Sequence, residues 1–284
     1  MFEMLLSPRR SERHPWEMLI IGLIYASISI LMVHWIFSKD PVLSAYSGIF
    51  TITFVVMFSI PYIYSTIKLE EEKDSQTNSS TRLLKEHSKA IMCFLWLFLG
   101  FIIAFAFFYI VLGSTDNYKA QIETYCSINN PNNYESCTYQ HGVGKIRATG
   151  YAAKTSMIGG IFTNNLYVLM FTVIFSIVFG AGGIFILAWN ASVISAAMVI
   201  FSKNDLYSLP LSLLRYMIHG LPEITAYFIG TLAGGIIGIA VIKKEFKTCN
   251  FWNILYDSLL LIICAIIILL IAALIEVFIT PVFF

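Results

Sequence analysis

Residues 215 to 238 read RYMIHGLPEITAYFIGTLAGGIIG and set Arg215, His219 and Glu223 four residues apart in apolar surroundings. Arg215 and His219 at that spacing share one face of a helix. Glu276 and His34 are further ionisable groups inside apolar runs. A charge near the middle of a bilayer costs roughly 2.5–3.5 kcal/mol even on the gentler scale, so such groups pair or serve a function. Three chemistries are open to them. Arg215 can close a structural clasp with Glu223 or Glu276, the cluster can line a ligand or ion pathway, or it can catalyse a reaction. A His-x-x-x-Glu pair supplies only two metal ligands, which do not make a site. No Ser or Cys stands beside a plausible base, and no phosphate loop is present. The sequence therefore assigns no catalytic residue, no metal and no cofactor, and the expectation is a non-enzyme, a membrane-embedded metallohydrolase being the remote alternative.

The elements that must position these residues are apolar. The chain has 284 residues, 58% of them hydrophobic and 12% charged, against about 25% charged in ordinary soluble domains. Its mean hydropathy is +0.77. Long apolar runs separate bunched charges, and runs of about 20 such residues are long enough to cross a bilayer. The fold class is all-α, a polytopic transmembrane bundle. The short alternating segments of a membrane β-barrel are absent. A net charge of +1 argues against a nucleic-acid partner.

The sequence places crossings at 16–37, 44–67, 90–112, 165–188, 222–242 and 254–280. The first two form a hairpin around Lys39, Asp40 and Pro41, with Pro61 kinking the second. The stretch 190–220 holds an apolar run, a polar Ser-Lys-Asn-Asp at 202–205 and a second apolar run. Neither half spans alone, so the expectation is one broken crossing, or a re-entrant segment. One crossing there makes the count about seven. Gly220 and Pro222 are expected to break the helix, with Pro222 and Glu223 opening a new one, as in the broken helices of several transporters. Domain limits follow as an N-terminal hairpin with a short tail at 1–68, a linker at 69–89 carrying the charge run LEEEKDSQTNSSTR, and a main membrane domain at 90–284.

The N-terminal MFEMLLSPRRSERHPW lacks a signal-peptide pattern. It reads either as a short tail or as a surface segment with Phe2, Met4, Leu5 and Leu6 on the membrane. The long polar loop at 113–160 contains Cys126 and Cys137, in a polar, Asn-rich setting suited to a disulfide in an oxidising compartment; two free thiols are the other possibility. Lys and Arg bias sets orientation. With the N-terminus cytosolic, eleven Lys and Arg face inward and five outward. The loop at 113–160 is then extracytoplasmic and the membrane is the cytoplasmic one. Arg215, His219, Glu223, Glu276 and His34 then share the outer leaflet.

Gly230, Gly234 and Gly238 recur every fourth residue, which clears one helix face for close packing on another helix, in this chain or in a second copy. Gly180 to Gly183 are expected to do the same within the fourth crossing.

The region from Leu84 to Pro281 resembles the stage II sporulation protein M family in its archaeal form. The residues that carry the resemblance are Asn164-Asn165-Leu166, the glycines from Gly180 to Gly183, Asn190, and His219-Gly220-Leu221-Pro222-Glu223 before a glycine-rich helix. WNASVIS, LRYMIHGLPE, YFIGTLAGGII and IEVFITP are similar to the archaeal versions. Met217-Ile218 precede His219 where the family pattern has a nearby proline. The resemblance implies a membrane scaffold, since the bacterial namesake holds cell-wall-remodelling enzymes at the engulfing septum. A protein partner in or outside the membrane, and a possible homo-oligomer, are the implied associations. The alternative is a transporter or channel for an ion or small solute.

Overall fold

The computed structural model describes residues 7–37, 39–40, 42–76, 83–113, 118–129, 134–140, 155–202, 206–243 and 249–280. Phe2, Met4, Leu5, Leu6 and, in the polar loop, residues 114–117, 130–133 and 141–154 lie outside them. A short helix α1 (Pro8–Ser11) precedes α2 (Glu17–Phe37), α3 (Ser47–Gln76) and α4 (Leu83–Leu112). Two short helices follow, α5 (Lys119–Asn129) and α6 (Tyr134–Gln140). The remainder is α7 (Thr155–Phe179), α8 (Gly183–Phe201), α9 (Leu209–Ile242) and α10 (Cys249–Leu274), which continues through a widened turn at Ile275–Ile279. Seven of these helices are long and apolar enough to cross a membrane, and no strand occurs among the described residues.

The count of seven matches expectation, but the partition differs. The two halves of 190–220 belong to different spans. The first is completed upstream by Gly183–Trp189 in α8, and the second runs on into α9. Gly220 and Pro222 do not break the helix. Pro222 lies inside a continuous helix of 34 residues. Proline removes one backbone donor, and neighbouring helices in a membrane bundle hold such a helix together. Glu223 accordingly sits in mid-helix and not in a first turn. Gly180 to Gly183 are not a packing face inside one crossing; they form the reversal between α7 and α8, where Gly180 has φ +67°, a left-handed conformation that favours glycine. The α2–α3 turn is held by the Asp40 carboxylate, which accepts from the backbone N–H groups of Val42 at 2.8 Å and Leu43 at 2.9 Å. Those bonds, that from Leu43 first, hold its carboxyl below the usual carboxylate range.

The core lies along α9, whose residues from Ala226 to Ala240 are all buried. Its glycine ladder faces α7 of the same chain. A Cβ on Gly230 would lie 2.5 Å from the Leu169 side chain, on Gly234 2.5 Å from the Val173 carbonyl oxygen, and on Gly238 2.5 Å from the Ile177 carbonyl oxygen. Residues 169, 173 and 177 are themselves four apart, so two matched rows run parallel, with direct backbone contact at Gly234 and Gly238. A second crossing of this kind joins α2 to α4, where the Cβ position of Gly22 falls 2.3 Å from the Leu97 carbonyl oxygen and that of Gly100 2.3 Å from the Leu19 carbonyl oxygen. Phe94, Phe98 and Phe228 fill the space between α4 and α9, with ring centroids 5.5 and 5.9 Å apart for the two pairs that include Phe228.

Gly234→Leu forces α7 and α9 apart, because the nearest obstacle is backbone and cannot rotate away. The expected loss is at or beyond the upper end of the ~1–3 kcal/mol range for overpacking, read as a lowered melting temperature in detergent. Gly160→Ala, where a Cβ meets nothing within 4 Å, leaves the melting temperature unchanged.

Candidate functional site: two polar clusters at opposite ends of the bundle

The first cluster is built where α7, α9 and the end of α10 meet. The Tyr227 hydroxyl donates to Glu223 Oε1 at 2.8 Å, one turn along α9. The Asn165 side chain of α7 and the Glu276 carboxyl stand close enough to act on the same carboxyl group. Asn164 Nδ2 donates to Asn165 Oδ1 at 3.3 Å. One turn nearer the bundle end, His219 Nδ1 lies 3.3 Å from Thr280 Oγ1 and its ring lies against Tyr216, centroid to centroid 6.4 Å. Tyr216 in turn hydrogen-bonds Tyr125 of α5. Glu276 is placed by the widened turn at Ile275–Ile279, a departure from α-geometry that is common at functional positions.

The structure thus brings together Asn164, Asn165, His219, Glu223 and Glu276. Arg215 stands close enough to His219 to act on it electrostatically, and its guanidinium carbon lies 4.4 Å above the Phe201 ring of α8, a cation–π arrangement. The groups gathered around Glu223 are Tyr227, Asn165 and Glu276. His34 stands on α2, which packs on α3 and α4. Asn190 lies within α8, its amide donating to the Ile186 carbonyl of its own helix at 2.8 Å. Gly220 is buried, but the nearest atom to a Cβ there is Met217 Cε at 3.9 Å, so no close approach requires a glycine.

Cys126 and Cys137 form a disulfide that joins α5 to α6. α5 packs on α8 and α3, with Ile122 and Cys126 fully buried. The buried Tyr118 hydroxyl donates to the Phe105 carbonyl of α4 at 3.0 Å.

The second cluster, at the other end of the bundle, escaped the sequence reading. α3 does not give way to a solvated stretch after Lys68. It stays helical to Gln76, and Glu70 and Glu71 are fully buried. Glu70 Oε2 lies 2.6 Å from His87 Nδ1 of α4, and Glu70 Oε1 lies 2.5 Å from Lys73 Nζ. Lys73 also meets Glu12, after α1, at 2.7 Å. Glu71 pairs with Lys243 at the end of α9. Ser11 and Tyr62 share a hydrogen bond of 2.8 Å beside them. The sequence did hold a signal. Tyr62, Ile63, Thr66, Ile67, Glu70 and Glu71 are all buried and fall on a single helical register that continues past the apolar run without a breaker.

An all-α bundle of seven apolar spans, with its buried polar groups bonded to one another near both ends, is a multi-pass integral membrane protein. The chain belongs to the Stage II sporulation protein M family, whose family model matches residues 93–281. No curated protein and no solved structure matches it. The matched region begins inside α4, so α1, α2 and α3 lie outside it, and the Glu71–Lys243 ion pair ties them to it.

Removing one member of a buried ion pair leaves the other charge uncompensated, at a cost of about 3–5 kcal/mol. Lys243→Ala, which removes a cationic partner from the fully buried Glu71, should lower the melting temperature far more than Lys85→Ala, which alters an exposed side chain. Reduction, or Cys126→Ser with Cys137→Ser, should cost about 2–4 kcal/mol and loosen α5 and α6, read as faster proteolysis between 118 and 140.

Proposed function

We propose that the protein is a non-catalytic scaffold or assembly factor of the cytoplasmic membrane. The observation that carries this reading is how the intramembrane polar groups are used. Tyr227 is bonded to Glu223 with Asn165 of α7 beside it, and His219 is bonded to Thr280, so these groups hold α7, α9 and the end of α10 against one another. Such bonds, with the backbone contact along the glycine ladder, make a rigid body suited to presenting a fixed surface. The scaffold role implied by the family resemblance points the same way.

In this reading the N-terminus is cytosolic, in line with the Lys and Arg bias. The α5–α6 unit then lies on the outer face, where a disulfide persists, and offers itself to an extracytoplasmic or membrane-bound protein.

A second reading, an ion or proton pathway, rests on one specific observation. The Glu276 carboxyl stands close enough to Glu223 to act on it electrostatically. Two neighbouring acids can share a proton or a cation.

One experiment separates the readings. Crosslinking in native membranes, followed by purification and mass spectrometry, should recover a near-stoichiometric foreign protein with wild type and with Glu223→Gln, and neither form should carry proton or ion flux in proteoliposomes. Flux in wild type that Glu223→Gln abolishes, with the fold intact, establishes the pathway instead.

A further inference from the structure

We propose that the segment from Ser7 to Glu17 forms a binding site for the headgroup of an anionic phospholipid in the leaflet on the N-terminal side. Ser7, Arg9, Arg10, Arg13, His14 and Glu17 line one open groove. Three arginines against a single glutamate give it a net positive charge. Arg10 is engaged with Glu17, Nε to Oε2 at 3.4 Å. Arg9 and Arg13 are exposed and have no acidic partner among the described residues. One helical turn separates Arg9 from Arg13, and the backbone bonds of Arg13 to the Arg10 carbonyl at 3.0 Å and of His14 to the same carbonyl at 3.2 Å keep the turn wound. Two guanidinium forks on one side of a turn match the oxygens of a phosphodiester, which arginine binds in bidentate fashion.

The groove is held in place and is not a loose basic tail. Between its arginines, Ser11 is fully buried and bonded to Tyr62, and Glu12 is paired with Lys73. Those two anchors fix the turn against α3 and point the arginines away from the bundle. Its depth identifies the ligand. The groove ends at Glu17, the first residue of a membrane span, and Trp16 beside it is 55% exposed, as an interfacial tryptophan would be. Arginines at that level meet lipid phosphates before any soluble anion.

The full-length protein in neutral detergent is titrated with dihexanoyl phosphatidylglycerol, dihexanoyl phosphatidylcholine and inorganic phosphate, with binding read by thermal shift and native mass spectrometry. Phosphatidylglycerol should bind saturably and more weakly as salt rises, with the other two well behind. Arg9→Ala with Arg13→Ala should weaken that binding by roughly tenfold or more without changing the unliganded melting temperature. Lys85→Ala with Lys89→Ala removes the same charge from exposed positions at the same end of the bundle and should leave the affinity unchanged. Equal losses in the two double variants would mean a diffuse field and overturn the site. Equal binding of phosphatidylcholine would assign the effect to acyl chains, and equal binding of inorganic phosphate would assign it to a free anion; either result overturns the lipid assignment.

Discussion

Backbone-to-backbone contact between α7 and α9 is the constraint on which the bundle rests. Water cannot drive apolar helices together inside lipid, because lipid tails are as apolar as leucine. Close packing must supply the attraction, and the carbonyl oxygens of Val173 and Ile177 lie where a Cβ on Gly234 and Gly238 would stand. That approach sets the distance between the helices. It thereby brings Asn165, near the start of α7, within reach of Glu223 on α9.

The half of α9 that carries these glycines is also held by charge at its end. Near the second end of the bundle, Lys243 at the end of α9 meets the buried Glu71 of α3, while Glu70 meets His87 of α4. Buried ion pairs of this kind add little net stability, because desolvation offsets most of the attraction, but an unpartnered member would be strongly destabilising. Their effect is therefore one of register: α3, α4 and α9 can slide relative to one another only by stranding a charge. The pair with Lys243 also joins helices outside the family match to helices within it, so the N-terminal hairpin and the family core form one packed body.

The polar groups around Glu223 follow a related logic. Glu223 is accommodated in an apolar helix because a tyrosine one turn away bonds to it and an asparagine stands beside it across the seam.

Composition and run length were enough to define an all-α membrane bundle of seven spans, because the need to satisfy every backbone group in lipid leaves helices as the only solution for long apolar runs. The spacing of Gly230, Gly234 and Gly238 marked a packing face for the same local reason, and the setting of Cys126 and Cys137 marked a disulfide. Tertiary structure decided the rest. Pro222 reads as a helix breaker from local geometry alone, yet neighbours packed around α9 keep that helix continuous. Arg215 and Glu223 look like partners by charge, but Phe201 and Asn165 come from other helices that no local pattern could align with them. Glu70, Glu71 and His87 looked like solvated charges because the burial of an ionisable residue depends on the partner that meets it, and here Lys243 and the α3–α4 contact arrive only when the chain has folded.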